Sequence, residues 1–396
     1  LSTAENQDIK MEYKVLNADF SFSSANQVTL PVTAVKMRGL GAAFASRRGS
    51  DALSSEYLYG DDGNLHLKTY VRVSDDEKKD LKKGEFKSYP LYSIVNVSAG
   101  KIYTFPMKGE GKNILHFDFL VTKNTIKVFG FFDNLSKGGA IDGIFSGTVD
   151  PKTYTLSNLN FTSFTEAQLN TLFAKDKEDA NKTGLFASKK KKEDSKEALN
   201  ANYVIEDVQA LDKDNLLIFC DKMINWSVTT CNSKGQCTTR YYCDKHNVTV
   251  FKINTKGDIV WASNLDRVKV KYSGWNIYDI KVINKGDKFY VAYGSDYNVF
   301  EGKGRNGTNS KKQKKSKDQK NDRFEYAVVD YKTGTIDRKE YVVNAINAKK
   351  EDVKKINVLD LEPINNQFYI NYSKKHFGYL FTKKKTGYTG KISPAA

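Results

Sequence analysis

The chain has 396 residues, 39% of them hydrophobic and 12% aromatic, with a formal charge of +16 and a pI near 9.3. That content is ample for a packed core, and no run is long and apolar enough for a membrane-spanning helix. The 23 Tyr and 23 Phe set against 6 Pro favour sheets joined by Gly-, Asn- and Asp-based turns.

A basic surface attracts polyanions such as acidic glycan, anionic lipid or nucleic acid. Much of the excess charge, however, lies in the runs Lys189–Lys192, Lys311–Lys317 and Lys383–Lys385, which read as solvated loops. Nucleic acid is therefore not the expected partner. Leu1 is not an initiator residue, and a removed signal peptide, hence export, is the simplest expectation.

Residues Met11–Val35 alternate weakly and read as strands, whereas Gly39–Arg48 has no strand pattern. Asp61-Asp62-Gly63-Asn64 is predicted to be a hairpin turn, because it lacks the spaced ligands and distal Glu of a calcium loop. YPLYSIVNV, KIYTFPM, ILHFDFLVT and IKVFGFF follow, each short, apolar-rich and bounded by a turn signal, as in an antiparallel meander. Thr165–Phe173 carries a capping box and one apolar face and predicts the single helix. The segments 174–201 and 301–322 are basic, low in complexity and disordered-like, and 386–396 reads as a loose tail.

The repeats point to one architecture. VFKINTKGDIVW, YAVVDYKTGTIDRKEYV and IFSGTVDPKTYTLSNLNF share a strand, a polar turn and a second strand. DNLLIFC, DKFYVAYG and NQFYINYS share a turn followed by an aromatic-rich strand. Amphipathic crossover helices are missing, which excludes a parallel α/β fold. The expected fold is therefore all-β: a single β-propeller domain over 1–396, with about six or seven blades and long charged loop insertions.

All four cysteines, Cys220, Cys231, Cys237 and Cys243, fall within one aromatic hairpin. In an exported chain an even number in so short a segment suggests disulfides. Cys231 and Cys237 bracket a turn centred on Lys234-Gly235, which sets them side by side. Cys220 and Cys243 would close the base, at unequal offsets from that centre. Free thiols and a metal site are the alternatives. The spacing is wider than zinc pairs prefer, and His246 is the one nearby imidazole. Trp226, Lys234, Tyr241 and Tyr242 on this hairpin are the candidate partner contacts.

Catalytic machinery is not legible. His66, His116, His246 and His376 are dispersed, and no Gly-x-Ser-x-Gly, P-loop, His-Glu-x-x-His or dinucleotide fingerprint occurs. No catalytic residue, cofactor or metal ligand is assigned.

Phe129–Phe132 with Gly139–Phe145, the run Lys189–Lys192, the hairpin Ile218–Tyr242 and the strands Val250–Trp261 together resemble uncharacterised exported β-propeller-like proteins of Bacteroidota cell envelopes. The hairpin departs from that layout in carrying cysteines, and the basic charge is unusually high. The resemblance implies the fold and the compartment, periplasmic or on the cell surface, and by analogy an outer-membrane protein complex as partner. A rigid all-β disc with abundant exposed Lys and charged loop insertions leads to the expectation of a non-enzymatic binding or scaffold protein. A carbohydrate- or polyanion-binding surface protein, with anionic glycan or lipopolysaccharide as ligand, is the alternative. A glycan-active hydrolase or lyase with its site in the propeller channel is the third reading.

Overall fold

The computed structural model describes residues 8–16, 19–33, 37–38, 57–72, 79, 88–109, 111–134, 140–157, 159–168, 199–200, 203–212, 214–254, 256–265, 267, 269–274, 277–295, 297–298, 303–304, 323–339, 358–377 and 383–392. Two compact units divide the chain. One comprises Leu1–Thr165, Lys190–Ala201 and Thr255–Asp258, the other Glu166–Lys189, Asn202–Asn254 and Ile259–Ala396.

Both units are built from antiparallel sheets. In the first, Leu65–Arg72, Ser88–Asn96 and Lys101–Pro106 form a meander, with Met37–Arg38 and Tyr57–Tyr59 on its first strand. A second sheet runs Asn113–Val121, Ile126–Asp133 and Gly143–Asp150, edged by Thr155–Leu156 and Asn160–Ser163. Tyr92, Ile94, Phe117, Val128, Phe132 and Phe145 from these two sheets share one buried cluster. All four predicted strands appear, but the meander breaks after Lys101–Pro106, and Asn113–Val121 and Ile126–Asp133 belong to the second sheet. Its runs read as near-continuous apolar segments because both faces of Ile126–Asp133 are buried.

In the second unit Tyr203–Ala210, Asn215–Cys231, Cys237–Asn254 and Ile259–Leu265 lie in sequence order, with Val270–Ser273 also on the third strand. Ile280–Lys285, Lys288–Ser295, Arg323–Asp330 and Ile336–Lys339 make another four-stranded sheet. Leu217, Phe219, Val250, Phe289, Val291 and Val329 pack between these sheets.

Two of the three repeats share their turn in atomic detail. Asp150 Oδ1 accepts from the amides of Lys152 and Thr153, at 2.7 and 3.2 Å, and its carbonyl accepts from Tyr154. Asp330 makes the same three bonds to Lys332, Thr333 and Gly334. The last residue of each turn has positive φ, +51° at Tyr154 and +73° at Gly334. Glycine adopts that conformation freely and tyrosine does not. Tyr154 is held there by stacking on Tyr103 at 4.1 Å and by amide donors from Asn64 and Asn96 to its hydroxyl.

The Asp61–Asn64 turn is a hairpin turn, with Gly63 at φ +76°. Glu166–Gln168 are helical, and the rest of the predicted helix lies outside the described residues. Most of 174–201 and 301–322 lies outside them too, yet Leu199–Asn200 pairs with Ala140–Ile141, and Lys303–Gly304 with Tyr297–Asn298. The tail is not loose throughout: Lys383–Ile392 is a strand paired along Gln367–Phe377, and that ladder supplies partners for its backbone groups. Gly39–Arg48 lies outside the described residues.

Candidate functional site

Among the described residues the cysteine hairpin is the longest ladder, running from Asn215↔Asn254 to Cys231↔Cys237. Near its base Leu217, Phe219, Val248 and Val250 are buried. The flanking strands stop at Tyr203↔Lys222 on one side and Tyr242↔Ser273 on the other. Beyond them every residue from Ser227 to Tyr241 is exposed. The hairpin therefore leaves the sheet as a two-stranded ribbon.

Such a ribbon is marginal in water unless braced. Three devices brace it. Cys231 and Cys237 form a disulfide, with Cα atoms 4.0 Å apart. Asn232 Oδ1 accepts from the amides of Lys234 and Gln236, both at 3.0 Å, and Gly235 supplies the positive φ. The Thr229 and Thr239 hydroxyls bond across the strands at 2.9 Å.

Cys220 and Cys243 do not form the second bridge. Their strand partners are Thr249 and Asn225, so the ladder places them at different levels of the hairpin. Both are buried thiols. Burial pushes the Cys243 thiol up, so it is a poor nucleophile and a poor metal ligand.

The four candidate contact residues divide into two pairs. Lys234 and Tyr241 are exposed. Trp226 and Tyr242 are half-buried and stack on each other at 4.5 Å, with the Lys271 ammonium 4.1 Å from both rings. Lys269 pairs with Asp244 at 2.7 Å. Burial would raise the Asp244 carboxyl, but the Lys269 ammonium and the Trp226 indole N–H bring it below its usual range.

The opposite face of the hairpin base carries a buried ion cluster. Lys245 donates to Glu206 and lies 2.9 Å from Asp221 and 3.8 Å from Asp279. Arg267 bonds Asp221 and Asp279 through different nitrogens, at 2.6 and 3.1 Å, and donates to the His246 carbonyl at 2.6 Å. Tyr272 donates to Asp279 at 2.7 Å, and Glu206 accepts the amides of Asp279 and Ile280, each at 2.9 Å. Burial raises Glu206 to about 8; Lys245 pulls the other way, while Asp221 and Asp279 add to the rise. Burial would also raise Asp221, but Arg267 and Lys245 more than reverse it.

Glu206, Asp221 and Asp279 bring oxygens within 4.8 Å of one another, a spacing that suits a cation. Lys245 and Arg267 already meet those oxygens, so the cluster supplies its own cations. Its role is to pin five separate segments under the hairpin. Sequence reasoning missed it, because each member reads as an ordinary surface charge.

A third polar group lies in the first unit. His66 Nδ1 is 2.6 Å from the Tyr92 hydroxyl and Nε2 is 2.9 Å from Asp62. Burial pushes the Tyr92 phenol far up, so it stays protonated. This carboxylate–imidazole–phenol chain has the parts of a proton relay. Its imidazole and phenol are fully buried, which suits a core bond rather than contact with substrate.

No family model matches the sequence, and no curated protein matches it. Among solved structures, the chain described as the crystal structure of polysaccharide lyase Uly1 is similar at a TM-score of 0.35 and 10% identity, over 84% of this chain and 56% of that one. The present chain thus spans about half the length of that structure.

Proposed function

We propose that this chain is a non-enzymatic binding or scaffold protein, exported to a bacterial cell envelope, whose contact element is the braced hairpin. In this reading its sheets are blades of a propeller, and the recurring Asp-turns at Asp150 and Asp330 support such repetition. The observation that carries the function is the hairpin itself. Its residues from Ser227 to Tyr241 are exposed, yet they are held by a disulfide at the tip and rise from a buried ion cluster at the base. A ribbon contributing so little to the core and so heavily constrained is suited to presenting a pre-ordered surface to a partner. The disulfide also accords with an oxidising compartment.

Co-purification from native membranes in mild detergent tests this. The full chain is expected to bring down an envelope protein, and a variant with residues 227–241 replaced by Asn-Gly is expected to lose it. A full chain that elutes alone, or a trimmed one that keeps its partner, overturns the proposal.

A second reading, polyanion binding, is favoured by Lys269 and Lys271 beside the aromatic pair and by Lys234 and Arg240 on the ribbon. It predicts binding to heparin or lipopolysaccharide that weakens steeply as salt rises.

A further inference from the structure

We infer that the exposed edge Ser227–Cys231 accepts an acidic, extended polypeptide segment as an added strand. This rests on the hairpin being the contact element and specifies its partner.

The direction of the backbone groups follows from the register. In an antiparallel ladder, closely spaced pairs alternate with pairs that exchange hydrogen bonds. Cys231↔Cys237, at 4.0 Å between Cα atoms, is a closely spaced pair. Thr229↔Thr239 and Ser227↔Tyr241 belong to the same set. The N–H and C=O groups of Ser227, Thr229 and Cys231 therefore point away from the sister strand. The Tyr241 carbonyl agrees with this register, because it points outward and accepts from Gly274 at 3.0 Å. The strand that covers the same edge lower down ends at Tyr203↔Lys222. Among the described residues no strand pairs with Ser227–Cys231.

Exposed edges are normally short, bulged or covered. This one keeps an unbroken register from Met223 to Cys231 and is fixed at its tip, so an added strand would meet an ordered template. Two-residue spacing of donors and acceptors, about 6.8 Å, matches a polypeptide backbone and not a glycan. Charge selects among polypeptides: no Asp or Glu occurs from Lys222 to Cys243, while Lys234 and Arg240 do. A second copy would bring like charges together, which disfavours self-pairing. Val228, 43% exposed, adds an apolar contact beside the edge.

The probe is a fluorescent peptide of alternating glutamate and valine, offered to the full chain at low salt. Three comparisons accompany it: the glutamine–valine peptide, the glutamate peptide with alternate amides N-methylated, and heparin. The glutamate peptide is expected to bind roughly ten-fold tighter than either peptide control and to slow amide exchange at Ser227, Thr229 and Cys231. Thr229→Pro removes one outward N–H together with the Thr229–Thr239 hydroxyl bond, so it should weaken binding roughly ten-fold with the melting temperature unchanged, while Thr229→Val, which removes the hydroxyl bond alone, should bind as the unaltered chain does. Equal binding of the N-methylated peptide overturns the inference. So does heparin binding as strong as the peptide's without amide protection, or sedimentation as an edge-paired dimer. If trimming residues 227–241 leaves the native partner bound, the contact role of the hairpin fails. If trimming abolishes capture while Thr229→Pro does not, strand addition alone fails.

Discussion

Arg267 and Asp221 are joined by one guanidinium nitrogen that lies 2.6 and 2.7 Å from the two carboxylate oxygens, with both side chains fully buried. The remaining charges are arranged around this pair. Asp221 also meets Lys245, and Arg267 also meets Asp279. Counting Glu206, three carboxyl groups face two cations, so the cluster has little charge to spare. Lys245→Met leaves a buried deficit and should cost about 3–5 kcal/mol in denaturant unfolding. Adding Asp221→Asn removes the ionised carboxylate that faces Lys245 and should restore a large part of that loss. A double variant as unstable as the sum of its parts would show that charge balance is not the cause.

The His116 imidazole is pushed down to about 3 by burial and then by Lys68, and its Nδ1 is buried without a hydrogen-bond partner among the described residues. The unfolded chain takes up a proton there near pH 6.5, and the folded chain does not. The stability this neutral ring allows is complete above that pH and is lost as pH falls from about 6.5 towards 3. At about pH 5 the loss should reach at most about 2 kcal/mol. His116→Leu should flatten the stability profile between about pH 7.5 and about pH 5 by that amount. An unchanged slope would assign the acid sensitivity to other groups.

The tip disulfide closes a short loop, worth at most about 2 kcal/mol through the unfolded chain. Ser227–Tyr241 lies outside the core and can fray alone. Cys231→Ser with Cys237→Ser should therefore shift the unfolding free energy by less than that ceiling. Amide exchange at Val228 and Thr230, whose N–H groups face the sister strand, should nonetheless accelerate clearly. Retention of slow exchange would mean that Asn232 and the Thr229–Thr239 bond suffice to order the tip.

The sheets were legible because strand and turn chemistry is local. Alternation or apolar runs marked Ser88–Asn96 and Ile126–Asp133, and Lys234-Gly235 marked the tip between two cysteines it could join. The pairing of Cys220 with Cys243 fails on register, because their midpoint is displaced from the turn. The ion cluster had no local signal at all. Glu206, Asp221, Lys245, Arg267 and Asp279 come from separate segments and meet only through strand pairing and loop return. In Tyr242–Asn247 polar residues fill both faces of the strand, so no hydrophobic period marked Lys245 as buried.

Gly294 and Tyr272 give the sharpest test of that assembly. Gly294 sits in the strand Lys288–Ser295, and a Cβ there would strike the Tyr272 hydroxyl and come within 2.6 Å of Asp279 Oδ2. The glycine is needed for close approach, because Tyr272 lies over it to donate to Asp279 at 2.7 Å. Gly294→Ala should cost about 1–3 kcal/mol by overpacking, plus whatever is lost as Tyr272 leaves Asp279. Tyr272→Phe alone forfeits a hydrogen bond to a buried carboxylate, about 1.5–3 kcal/mol. In the double variant the hydroxyl that collides is absent, and the bond it made is already counted. The two costs should therefore add to distinctly less than their sum, by about 1 kcal/mol or more in a double-mutant cycle. Strict additivity would mean that the backbone at Gly294 shifts to admit a methyl group, and that Tyr272 keeps its place over Asp279.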